Sequence, residues 1–114
     1  MVDLVGAVQA VVAKLEAGGV RAVTDARDVN PPCVQVRAPV INWRFGKGYW
    51  DADFTAWSIT GDAGTTENLR AQSALIDAVQ TALDGVVVSA RPDDALMVDG
   101  SLLPIYVLTW SARI

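Results

Sequence analysis

The chain has 114 residues, 52% of them hydrophobic and 19% charged, with a net charge of −4; this balance excludes a disordered chain and predicts one domain over residues 1–114. One cysteine and no histidine exclude an internal disulfide, a structural zinc site and histidine-based catalysis. The nine basic residues are scattered, with Arg37, Arg44 and Lys47 the one local group, which excludes a nucleic-acid-gripping surface.

Residues 2 to 17 predict a helix, because Leu4, Val8, Val11, Val12 and Leu15 fall on one stripe at helical spacing. Asp3 stands at its start, where a carboxylate suits the helix dipole, and Gly18 and Gly19 end it. The run is broken by Gln9, Lys14 and Glu16, and Asp3 replaces the positive start of a signal peptide. No apolar stretch reaches the roughly 18 residues of a membrane span. The chain is therefore expected to be soluble, made and kept in the cytoplasm, with no membrane partner.

"VRAVT", residues 20 to 24, alternates as a first strand, and "DARDVN" follows as a polar loop. Pro31 and Pro32 come next. Each fixes its own φ and neither donates a ladder hydrogen bond, so pairing is expected to begin at Cys33. Pro31 and Pro32 are thus assigned a structural role, a rigid approach to the strand "CVQVR". After Pro39, "VINWRF" places Ile41, Trp43 and Phe45 on one face. "GKG" is a turn, and "YWDADFTAWSIT" is a long strand. Its large residues change phase between Phe54 and Trp57, which predicts a bulge or bend near Thr55 and Ala56. The two runs read as a hairpin whose tip projects beyond the sheet.

"TGDAGTTENL" leads into a second helix, capped by Thr65 or Thr66 and running to about Leu83. Its stripe is Leu69, Ile76, Val79 and Leu83, widened by Gln72 and Leu75. "VVVSAR" is a strand, "PDDALMVDGSLLP" a loop and "IYVLTWSAR" a last strand, apolar on both faces and so inner or well covered. The order predicts an α+β fold: a mixed or antiparallel sheet with two helices on one face and a projecting β-hairpin.

The chemistry-bearing residues form no catalytic set. Ser58, Ser73, Ser89, Ser101 and Ser111 have no histidine partner, and none sits in a nucleophile elbow. Lys47 between Gly46 and Gly48 lacks phosphate-loop spacing. "GDAG", residues 61 to 64, reads as a capped loop rather than an anion site. Asp51 and Asp53 share a strand face and read as its solvated side rather than an acid–base pair or cation site. Asp93 and Asp94 follow Pro92 and read as turn residues. Cys33 reads as a small buried apolar residue. No enzyme activity, cofactor or metal is expected.

Eight aromatics stand in predicted strands, and six of them lie between residues 43 and 57. A two-stranded arm cannot bury both faces in a small domain, and aromatics and arginine are enriched at protein interfaces. Trp43, Arg44, Phe45, Lys47, Tyr49 and Trp50 are therefore the candidate subunit-interface residues.

The chain also resembles a known family. "AGGVRAV" closes the first helix, "TDARDVNPPCVQV" follows, then the aromatic hairpin, an amphipathic helix, "ARPDD" and the ending "PIYVLTWSARI". In order and size, over nearly the whole chain, this resembles the tail terminator (minor tail) proteins of long-tailed actinobacterial phages. "DVNPPCV" and "LTWSARI" are its most specific pieces. The resemblance implies a structural virion protein that forms a homo-oligomeric, six-membered ring on the tail tube protein at the head-proximal end of the tail. It is assembled in the host cytoplasm, stops tube growth and offers a surface to the head-connector or neck protein. DNA passes through the hole without specific binding, which suits an acidic chain. Two alternatives remain: a head–tail joining (neck) protein of the same virion region, and a small cytoplasmic ligand-binding domain.

Overall fold

Asp3 caps the first helix as its position predicts: its Oδ1 accepts from the Gly6 N–H at 2.8 Å, and α1 runs Leu4–Ala17. Gly19, at φ 82°, takes the left-handed position after the helix. The Val20 N–H then returns to the Leu15 carbonyl at 2.9 Å and the Gly19 N–H to Glu16 at 3.0 Å. Val20 and Leu15 lie in one buried cluster, so the turn that ends α1 is also nailed to the core. The computed structural model describes residues 2–61 and 64–114.

The first strand shrinks to β1, Ala22–Val23, and a short 3-10 turn, Ala26–Asp28, occupies the predicted polar loop. Pairing then begins at Cys33, as the two prolines require; the bond between them is cis. The remaining elements are β2 Cys33–Val36, β3 Val40–Arg44, β4 Tyr49–Ile59, α2 Thr65–Ala82, β5 Ser89–Leu96 and β6 Leu102–Arg113. They build a six-stranded sheet in the order β1-β2-β4-β6-β5, with β3 also on β4. The β1–β2 pair is parallel and the others are antiparallel, so the sheet is mixed and the fold is α+β.

Strand alternation sorts the side chains into two faces. Val34, Val36, Ala52, Phe54, Ala56, Leu108 and Trp110 form one cluster with Val8, Val11 and Leu15 of α1 and Leu75, Ile76 and Val79 of α2. Both helices therefore cover the same face. Phe54 and Trp110 stack beneath them, ring centroids 5.5 Å apart. On the other face, Cys33, Ile59, Ala95, Ile105 and Val107 form a second cluster at one end of the strands. Val23, Val29, Trp57, Met97 and Leu103 pack against it.

That second cluster corrects the reading of β4. The β4–β6 register is unbroken from Asp51↔Arg113 to Ile59↔Ile105, so β4 has no bulge at Thr55 and Ala56. Its large residues change phase because the two ends of the strand bury opposite faces. The extra residue lies in the neighbouring chain. Val36 pairs with Ala56 and Val40 with Asp53, so Arg37, Ala38 and Pro39 stand opposite Thr55 and Phe54. β2 and β3 thus share one edge of β4, with a bulge between them.

Three further expectations change. Gly64, at φ 89°, holds the cap position of α2 with no side-chain cap bond, and Thr65 is already helical. Asp62 and Ala63 of "GDAG" lie outside the described residues. The inward face of α2 carries Asn68 in place of Leu69, beside the expected Gln72, because Thr60 and Ser58 at the end of β4 offer the two amides hydrogen bonds. Residues 92 to 96 of the predicted loop are strand: β5 pairs with β6 from Ser89↔Thr109 to Leu96↔Leu102. Pro92, Asp93 and Asp94 are tolerated because β5 is an edge strand, paired on one side only.

Candidate functional site

The candidate interface residues gather at the β3–β4 turn. Trp43 pairs across the hairpin with Trp50, their rings meeting edge to face at 5.3 Å. Both lie on the helix-covered face, level with Ile41 and Ala52, but outside the buried cluster. Arg44 faces the other way and pairs with Asp51, which holds the guanidinium pKa above its ordinary value. Tyr49, also on the open face, lies under the Arg113 guanidinium, 4.4 Å from its ring centroid. Phe45 and Lys47 occupy the turn itself. Phe45 is 94% exposed and Trp43 48%.

The hairpin is less free than the sequence predicts. β6 follows β4 as far as Asp51↔Arg113, and the Ile114 N–H donates to the Trp50 carbonyl at 3.0 Å. Only the turn from Phe45 to Gly48 extends past its neighbours. A shallow apolar groove of about 280 Å³ lies between α1 and the end of β6, lined by Ala7, Val11, Leu83, Trp110, Ala112 and Ile114; Ala7 and Ile114 also border a neighbouring hollow that reaches Trp43 and Gly48.

A second exposed apolar group stands at the opposite end of the sheet. β4 and β6 run antiparallel, so the β5–β6 turn lies beyond Ile59 while the β3–β4 turn lies beyond Tyr49. Leu96, Val98 and Leu102 are 70%, 66% and 61% exposed there, on a molecule 49 Å long. The other side of this tip is packed, through Met97 and Leu103, onto the second buried cluster, which Val29 also covers. Pro31 also lies at this end, far from the aromatic turn. Sequence reasoning missed the tip. Its signal was Asp99–Gly100 flanked by Val98 and Leu102, a strong hairpin-turn pair between apolar residues. Ser101 donates through its hydroxyl and its N–H to Asp99, which holds that carboxyl pKa below the ordinary range.

The remaining sequence candidates are accounted for by their neighbours. Asp53 accepts from the Ser111 hydroxyl at 2.7 Å and from Asn42, while Asp51 is taken by Arg44. Cys33 is fully buried, and burial pushes its thiol pKa up. Among the described residues no group of three or more Cys, Asp or Glu is placed to hold a metal ion, and no helix is long and apolar enough to cross a membrane. No family model matches the chain, and no curated protein matches it with significant similarity.

Proposed function

We propose that this chain is a structural virion protein, a phage tail terminator whose copies close into a ring on the head-proximal end of the tail tube. The observation that carries the reading is the pair of unlike exposed apolar surfaces at opposite ends of the sheet: Trp43 and Phe45 at one, Leu96, Val98 and Leu102 at the other. A closed ring is built from head-to-tail contacts and needs two different patches on each subunit. Single exposed apolar residues are ordinary on any surface; groups of large ones at both ends of a 12.1 kDa chain point to partners. The net charge of −4 suits a hole through which DNA slides without being held. In this reading the remaining surfaces meet the tail tube protein below and the head-connector or neck protein above.

Electron microscopy of lysates from the phage that carries this gene, with the gene disabled, tests the proposal. Overlong tails beside separate, DNA-filled heads are expected. Tails of normal length lying apart from heads would assign the protein to the neck instead. Ordinary whole particles would sink the virion reading.

A further inference from the structure

We propose that the β5–β6 tip of one copy seats against the Trp43–Phe45 end of a second copy, in the groove beside α1. The inference rests on the ring reading, which supplies the need for two unlike surfaces, but the choice of surfaces comes from charge and geometry. The tip segment from Asp93 to Leu102 carries Asp93, Asp94 and Asp99 and no basic residue. The turn segment from Trp43 to Trp50 carries Arg44, whose charge is met by Asp51 of the same hairpin, and Lys47, which is left without an acid among the described residues. Asp93, Asp94, Asp99 and Lys47 take part in none of the ion pairs among the described residues. Tip against tip would bring like charges together, and so would turn against turn; tip against turn pairs opposite charges around an apolar centre. The two ends cannot meet within one copy, because they lie at opposite ends of the same strands.

Pairing through the outer edge of β5 is disfavoured by the strand itself. Pro92 has no N–H to give, and the Asp94 N–H is already taken by the Asp93 carboxylate at 2.8 Å. What the tip presents is side chains. Leu96 and Leu102, directly paired on the exposed side, match the apolar groove lined by Ala7, Val11 and Ile114. Lys47 sits on the turn whose Gly48 lines the adjoining hollow with Trp43 and Ile114, so its charge attracts the incoming acids from a distance.

A complementation experiment by analytical ultracentrifugation tests the contact. One variant carries Leu96→Asp with Leu102→Asp, and the other Trp43→Asp with Phe45→Asp. Wild type is expected to associate. Each variant alone is expected to sediment as a 12.1 kDa monomer, and their equimolar mixture as a species of twice that mass that grows no further. Circular dichroism and melting confirm that each variant is folded. As a milder pair, Lys47→Glu and Asp99→Lys should each weaken association at least about tenfold, and the double variant should recover it. Three results overturn the proposal: a wild-type chain that stays monomeric up to about 1 mM, one variant that still associates alone, or a mixture of folded variants that stays monomeric. Complementation together with normal tails in the gene-disabled phage would keep the contact and remove the terminator reading. Overlong tails without complementation would do the reverse.

Discussion

Ser58 and Gln72 hold each other through two hydrogen bonds at the junction of β4 and α2. The Ser58 hydroxyl donates to Gln72 Oε1 at 2.6 Å, and Gln72 Nε2 donates to the Ser58 carbonyl at 2.8 Å. Both side chains are fully buried. A buried polar pair of this kind fixes where α2 sits along the sheet, because sliding the helix by one turn leaves both groups unpaired. Gln72→Ala strands the Ser58 groups and opens a small void. It is expected to destabilise the fold by about 2–4 kcal/mol, read as a lower denaturation midpoint. A loss under about 0.5 kcal/mol would mean that water replaces the amide.

The two helices touch where neither has room for a larger residue. A Cβ on Gly18 would stand 2.6 Å from the Ala82 Cβ, closer than packed carbons approach. Gly18 has an ordinary φ of −85°, so the obstacle is the neighbour and not the backbone. Gly18→Ala should therefore destabilise by about 1–3 kcal/mol. Adding Ala82→Gly should recover part of that loss, and a double-mutant cycle measures the coupling. Additive effects would show that the helices part without strain.

Phe45 and Phe54 are nine residues apart in the same hairpin and should behave in opposite ways. Phe54 is stacked on Trp110 in the core, so Phe54→Ala is expected to lose about 3–5 kcal/mol. Phe45 stands clear of its own chain, so Phe45→Ser should change stability by no more than about 0.5 kcal/mol. Thermal melts of the two variants suffice. A large loss at Phe45 would place its ring against the core.

Much of this fold was legible in the chain, and the misreadings have physical causes. The Asp3 cap, the glycine stop, the start of pairing at Cys33 and the Gly46–Gly48 turn are local chemistry, set by neighbours in sequence. The inward face of α2 was not, since Leu69 outranks Asn68 in hydrophobicity and only Thr60, brought close by the fold, reverses the order. β5 was hidden by Pro92, Asp93 and Asp94, which mark a turn unless the strand has a free edge. The aromatic end was found because aromatics crowd there. The apolar tip was missed because its three aliphatic residues lay in a stretch read as loop.

Cys33 should be chemically silent until the domain opens. It is fully buried, and burial holds its pKa above the ordinary thiol value, which lowers the thiolate population further. Alkylation by iodoacetamide near pH 8 is expected to run at least about a thousandfold slower in native buffer than in denaturant, tracking the opening equilibrium. Rapid native labelling would show that the second cluster opens on its own.

The Asp99 turn gives a pH signature of known sign. The Ser101 donors hold the carboxyl pKa below its unfolded value. Its stabilising contribution is therefore present above the ordinary carboxylate range, near about 4, and is lost as pH falls through the lower native value. Ser101→Ala removes the hydroxyl donor and leaves the N–H. The Asp99 carboxyl should then titrate at higher pH, as followed by carbon-detected NMR. An unchanged titration would mean that the hydroxyl does not hold the carboxylate.

The single additional residue between Val36 and Val40 acts as a parity switch. Carried straight on, the register that β2 holds with β4 would set Trp43 opposite Tyr49 instead of Trp50. Every side chain of β3 would then exchange faces. The indole would join the charged side of the sheet, and Arg44 would turn toward the helices. The facing of the aromatic end is thus a matter of odd or even count. An insertion or deletion of one amino acid there would invert what that end displays while leaving its composition almost untouched.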